Sequence, residues 1–472
     1  MKAPKPNSSL QRKIKVFFLI TLLRDKIQKI IFLLLPILLF IISLRIITDP
    51  NSDFKSKSDF EDYYNASIRL KSFQNPYYIE KIESIFNQKD TTIKTFDDLK
   101  KLLEDAKGVG KYLYPPLFAF LLIPLTFFPY TIAAILYQII QITFLMLSFY
   151  LLYKTLEILF PKTSNRKINF SILLGFFMLL PLHVQNISNG NVGFLLIFLV
   201  SLSLFLYFKN FQNSFFADFI NGLIIGIATI IKVLPGFLMG FYFIKRKYII
   251  FIGFLFGIII GIFLPALYLG WEINVRYFTD WYEWILVNYK KYSVLRPYAN
   301  NQTISAALVK LFIPYADLNQ ILYELPFSLF QNQLGIVGSL IQGINLFLLI
   351  NLAVLTLLFF FKRTNTIFFL YYSYILFLTA LLTSGISWYH TFSILFPVYV
   401  FFCILWIEKF QIKTYIFFVP SLFLWFLWFL PYKLKDFFSM YSFFLWLNLG
   451  IFIYLLITLY NAFFKNGILY EK

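Results

Sequence analysis

Long apolar runs, separated by short basic or polar stretches, recur along nearly the whole chain. A helix needs about 20 apolar residues to cross ~30 Å of hydrocarbon, and the pattern predicts twelve such helices. They fall near residues 29 to 48, 131 to 153, 169 to 185, 191 to 208, 216 to 231, 234 to 245, 248 to 269, 334 to 361, 365 to 382, 391 to 408, 412 to 430 and 438 to 463. The sixth is short and follows Lys232 and Pro235, as broken helices do where protein lines a cavity. The first run is too long for a signal-peptide core and lacks a small-residue cleavage site, so it is expected to stay as a span. Tyr114 to Tyr130 is apolar but interrupted by Pro124 and flanked by prolines, and it is assigned to the outer surface as a juxtamembrane or re-entrant helix. The expected fold is therefore an all-α polytopic membrane protein. Residues 1 to 472 form a single embedded unit with two large outer loops, 49 to 130 and 270 to 333.

Orientation follows from where the basic residues lie. With the amino terminus inside, every short basic loop faces the cytoplasm, including Lys154 to Lys167 and Lys245-Arg246-Lys247. The inner segments then hold 22 Lys and Arg against 4 acids, and the outer segments 19 against 18. The formal net charge of +19 is thereby a topology signal, and no nucleic-acid partner is expected. Composition agrees: 59% of residues are hydrophobic and only 14% charged, which excludes a soluble enzyme or a disordered chain. One Cys and two His exclude the usual four-ligand Cys/His zinc site. No motif supports a metal or cofactor.

The outer loops carry the candidate chemistry. Ser58 with Glu61 forms a capping-box pattern, and Phe60, Tyr63, Ser67 and Leu70 share a face, predicting a short amphipathic helix that starts at Asp59. At that position the helix dipole would keep Asp59 an anion able to take a proton, or Asp59 simply complements the dipole; Asp62, one turn on, is the rival. A second loop helix is expected to start at Thr95. Tyr112 and Tyr114 either stack on a sugar face or belong to the interfacial aromatic belt. Other polar groups fall at outer span ends, where a bilayer tolerates them only with a use or a wet cavity. These are His183 to Asn186, Asn189 and Asn191, Lys232, Asn301-Gln302-Thr303, and Ser384 through Trp388 to His390. Each has a bland alternative as a cap, a belt residue or a snorkelling cation. The basic loops alone nevertheless place all of them on one face with Asp59.

In order, Asp59-x-x-x-Tyr63-Tyr64-x-Ala66, Asn75-Pro76-Tyr77, Tyr114-Pro115-Pro116-Leu117, Asn189-Gly190-Asn191, Lys232-x-x-Pro235, Asn301-Gln302-Thr303 and Ser387-Trp388-x-His390 resemble the signature blocks of glycosyltransferase family 87. The resemblance runs from about residue 29 to residue 400. It departs from the family at Asn191, where Gln is usual, at Thr303, where Ser is commoner, and at Gly385, where Pro is typical; the loop from Asn75 to Tyr112 is also long. The resemblance implies a GT-C fold and a polyprenyl-phosphate-sugar donor. It further implies transfer of a mannose-like hexose or a pentose to a lipid or glycan acceptor on the outer face of the cytoplasmic membrane, both termini being inside. Asp59 would be the inverting general base, with His390 beside it and Lys232 the counter-charge to the donor phosphate. Asp62, Tyr63, Tyr114, Asn189, Asn191, Asn301, Gln302 and Trp388 would line the substrate site. The alternatives are a flippase for lipid-linked sugar, which should show inverted repeats, and a non-catalytic subunit of envelope assembly.

Overall fold

The computed structural model describes residues 8–77, 111–209, 214–288, 298–312, 315–318, 321–324, 334–361, 366–408 and 414–464. The described chain is helical apart from one antiparallel hairpin, in which Tyr315–Leu318 pairs with Ile321–Glu324. The all-α expectation misses that ribbon. The loop helix expected from Thr95 lies outside the described residues.

Among the described residues, six helices are long and apolar enough to cross a bilayer, namely Lys26–Thr48, Tyr130–Leu159, Tyr248–Leu269, Ile336–Phe361, Tyr389–Ile407 and Phe443–Phe464. Asn165–Met178 and Leu180–Asn189, bent by 62° between them, make a seventh if counted together. Five shorter apolar helices, Gly193–Lys209, Phe215–Ile231, Leu234–Ile244, Leu370–Thr383 and Ile416–Phe429, fall below that length. Each of the twelve expected runs coincides with one of these segments, yet length alone supports six or seven crossings. Proline explains several of the short segments: Pro181, Pro235 and Pro420 each sit in the first turn after a break, where the ring stops a preceding helix from running through. Apolar side chains such as Leu33, Leu38 and Ile41 face outward, as they do where lipid is the solvent. The chain is a multi-pass membrane protein.

The tightest contact in the bundle brings Phe215–Ile231 against Tyr248–Phe263. Gly222 and Gly226 on one helix face Gly253 and Gly257 on the other. A Cβ at Gly222 would lie 2.0 Å from the Ile250 carbonyl, and one at Gly253 would lie 2.1 Å from the Phe219 carbonyl. Small residues spaced by four let the two backbones touch. At the start of the first of these helices, Asp218 is buried but pairs with Lys247 at 3.0 Å, so its charge is not stranded. At its other end the helix stops at Lys232, whose backbone is extended, before the 3-10 turn Leu234–Leu238.

The same logic places the other polar groups at interruptions of helices. Asp59 opens Asp59–Lys71. Gly190, in the left-handed conformation at φ 61°, ends Leu180–Asn189 between Asn189 and Asn191. His390 lies in the 3-10 turn Tyr389–Leu395. Helix ends and irregular backbone are where free polar groups concentrate in a membrane protein.

Candidate active site

Ser58 caps the Asp59–Lys71 helix, its Oγ accepting the Glu61 N–H at 3.0 Å. The expected face, Phe60, Tyr63, Ser67 and Leu70, is buried together with Ala66. Phe60 packs on Tyr137 with ring centroids 4.8 Å apart, which fixes the roll of the helix. A Cβ at Gly190 would lie 2.7 Å from the Phe60 Cβ, so the Asn189–Asn191 turn is pressed onto the start of this helix. Two glutamines buried in Tyr130–Leu159 hold the turn from behind. Gln138 Nε2 donates to the Ile187 carbonyl at 2.8 Å, and Gln141 Oε1 accepts the Leu195 N–H at 3.1 Å. Neither was singled out in the sequence, although two amides three residues apart in an apolar run are the kind of intramembrane polar pair that signals a role.

These constraints bring together residues far apart in the chain. Asn191 Nδ2 donates to Asp59 Oδ2 at 2.6 Å and lies 3.3 Å from the Tyr63 Oη. Tyr63 Oη donates to Tyr114 Oη at 2.9 Å. Lys232 Nζ donates to the same Tyr114 oxygen at 3.2 Å and stands 5.3 Å from the centre of that ring. From the opposite side, His390 Nε2 is 3.5 Å from Asp59 Oδ2, and its Nδ1 is 2.9 Å from Asn189 Nδ2. With the Asn189 amide donating to Nδ1, the imidazole proton resides on Nε2 and faces the carboxylate. The Trp388 ring packs edge-on to His390, with centroids 5.7 Å apart. Five regions thus converge on one carboxylate and one ammonium.

Burial pushes the Asp59 carboxyl above its ordinary value, against the Asn191 hydrogen bond and the Lys232 charge, which pull it down. The sequence leads to the expectation that the helix N-terminus keeps Asp59 an anion; burial works against that dipole. Asp62 does not join the cluster through Asn191 or His390. It hydrogen-bonds Glu61, and burial, with the charges of Asp59 and Glu61, raises it to about 8.

Asn301 and Gln302 sit behind the cluster, fully buried. Asn301 bridges to Trp388 and accepts the Ser387 N–H at 3.1 Å, while Gln302 N–H donates to the Ser387 carbonyl at 2.8 Å. The Gln302 side chain ties Ala299 and Ser439 to Leu445. They brace the segment that carries Trp388 and His390. His183 takes no part: its ring stacks on Phe176 at 4.7 Å between further phenylalanines.

Beside the backbone that flanks Lys232, whose own side chain is not part of the lining, a cavity of about 610 Å³ opens between helices. It is lined by Thr229, Val233, Gly236 and Phe237 on the lysine side and by Leu352, Ala353 and Leu376 opposite. The site therefore joins a carboxylate with an imidazole, an ammonium, and apolar space among membrane helices.

The model of glycosyltransferase family 87 matches residues 112–385, more than half of the chain, and the protein belongs to that family of membrane glycosyltransferases. Tyr114, Asn189, Asn191, Lys232, Asn301 and Gln302 lie within the matched region; Asp59 and Tyr63 precede it and His390 follows. No curated protein and no solved structure shows a significant match to the chain.

Proposed function

We propose that the enzyme moves a sugar from a polyprenyl phosphate to a lipid or glycan hydroxyl on the outer face of the cytoplasmic membrane, with inversion, on a GT-C-like scaffold. The observation that carries this reading is the placement of Asp59 and Lys232 on opposite flanks of the Tyr63–Tyr114 pair, the lysine next to the apolar cavity. The acceptor oxygen attacks the anomeric carbon as Asp59 takes its proton, and the bond from that carbon to the phosphate oxygen breaks. Polyprenyl phosphate leaves with the electron pair, its charge met by Lys232. A raised carboxyl is the stronger base, and a positioned base contributes roughly 10² to 10⁴ in rate. His390 Nε2–H steadies the carboxylate or the acceptor hydroxyl. The cavity receives the first isoprene units of the donor. The sugar is a mannose-like hexose or a pentose.

Purified protein supplied with labelled polyprenyl-phosphate mannose or arabinofuranose and a glycolipid acceptor tests the donor chemistry. Label recovered in the acceptor supports it, whereas exclusive use of nucleotide sugars would exclude it. Orientation is tested separately with Asp53→Cys and Arg246→Cys. Both positions are exposed and the native Cys403 is buried. A membrane-impermeant thiol reagent should label position 53 in whole cells and leave 246 unlabelled; the reverse pattern inverts the topology.

A further inference from the structure

Lys310 is fully buried in the helix Ile304–Phe312, and among the described residues its ammonium meets no carboxylate. Instead Nζ donates to three backbone carbonyls, those of Tyr298 at 3.2 Å, Asn301 at 3.1 Å and Ser439 at 3.3 Å. A long cationic side chain is rarely buried in full, and here three donors match three acceptors. The acceptors are informative. Asn301 is the residue whose side chain takes the Ser387 N–H and whose backbone bridges Trp388. Ser439 lies in the last turn of Tyr432–Met440, where a cation is favoured, and its carbonyl also accepts the Ser442 N–H at 3.1 Å. The Ser439 carbonyl also accepts from Gln302 Nε2 at 3.4 Å, and its Oγ lies 3.3 Å from the Tyr389 hydroxyl. Lys310 is therefore bonded directly to both anchors of the Ser387–His390 segment.

We propose that Lys310 is a positioning residue for His390, its ammonium locking the Asn301 and Ser439 anchors and so setting the imidazole against Asp59. The inference rests on the reading of the Asp59–His390 pair as the reacting centre. A neutral amine has only two N–H groups, so loss of the proton removes one of the three bonds from Lys310 and loosens the lock. Burial alone lowers Lys310, to about 7. Among the described residues, the titratable side chains on the segments around it are the phenols of Tyr298, Tyr389 and Tyr441 and the imidazole of His390. Lys433 and Lys435 on the Tyr432–Met440 helix are exposed and Asp436 bonds Tyr432. The neighbouring helices Leu334–Phe361 and Thr366–Thr383 carry no charged residue.

The chain has two histidines, so histidine-selective ¹⁵N labelling of the full-length protein in detergent gives two sets of ring signals, the set lost in His390→Gln belonging to His390. In Lys310→Met the His390 signals should shift and broaden while those of His183 stay in place. In parallel, kcat should fall tenfold or more with the donor KM within twofold of wild type. The same movement should set in for the wild type as pH rises through about 7, and Lys310→Arg, which keeps its charge, should suppress it. Unmoved His390 signals in Lys310→Met overturn the proposal. If that variant does not fold, a pH response identical in wild type and Lys310→Arg overturns it, because the response is then the titration of His390 itself. If neither variant folds, a wild-type His390 signal that stays flat between pH 6 and 9 does so. The ring signals are independent of turnover, so a wild type inactive with polyprenyl-phosphate sugars would end the donor reading without deciding this one.

Discussion

Asp59 and Asn191, 132 positions apart in the chain, meet at 2.6 Å through one amide-to-carboxylate hydrogen bond. That bond is the main hydrogen-bonding influence holding the buried carboxyl down against desolvation. In Asn191→Ala the Asp59 carboxyl should rise further. Because the base works deprotonated, the acid limb of the kcat profile should move to higher pH, with activity regained on the alkaline side. An acid limb in the wild-type position would show that this bond does not govern the base.

Asp62 makes a separate statement about stability. Its folded value of about 8 lies above the ordinary 3.8, so the folded protein holds this proton more tightly than the unfolded chain does. Its contribution favours folding below pH ~4 and is lost as pH climbs toward about 8. In Asp62→Asn that loss disappears: thermal midpoints should fall less steeply than wild type across this window, and the variant should be the more stable protein near pH 8. Equal slopes in the two proteins would contradict the assignment.

Lys232 and the neighbouring cavity divide donor recognition between charge and chain. Lys232→Met should lower kcat by roughly 10² to 10³, and the loss should be nearly the same for short and long polyprenyl donors. Ala353→Phe, which fills the cavity, should instead raise KM for long-chain donors about tenfold and spare a donor with a short chain. Kinetics with two chain lengths for each variant separate the two effects.

The close helix pair that presents Lys232 has no room for side chains at its contact. Gly253→Ala puts a methyl 2.1 Å from the Phe219 carbonyl, whereas Gly450 has nothing within 4 Å of its added Cβ. Overpacking against backbone should cost Gly253→Ala ~3 kcal/mol or more. Gly450→Ala should be neutral or stabilising by up to ~1 kcal/mol. Thermal unfolding in detergent compares them directly.

Much of this was readable in the sequence because its signals are local. Apolar runs marked every helical segment in the membrane region, and the Ser58/Glu61 pattern with the spacing of Phe60, Tyr63, Ser67 and Leu70 marked the helix that carries Asp59. What local pattern could not reveal was length and environment. The bend before Leu180 shortens a segment that composition presents as continuous. The upward push on Asp59 depends on burial, which works against the dipole visible at its helix start. Gln138, Gln141 and Lys310 act through contacts with distant backbone, so neither their neighbours in sequence nor their residue type announced what they hold. Asn301 and Gln302 stood out as polar groups near the site, and only their partners show that they brace Trp388 and His390.

The central claim is that Asp59 is the base in sugar transfer, and Asp59→Asn tests it most directly because the amide keeps the shape and removes the proton acceptor. Transfer of labelled sugar from a polyprenyl phosphate should be measured for wild type, Asp59→Asn and Asp62→Asn in matched detergent preparations. The expected result is a loss of roughly 10² to 10⁴ in kcat for Asp59→Asn, with donor KM little changed and Asp62→Asn within a few-fold of wild type. Full activity in Asp59→Asn, or the large loss appearing in Asp62→Asn instead, would contradict it.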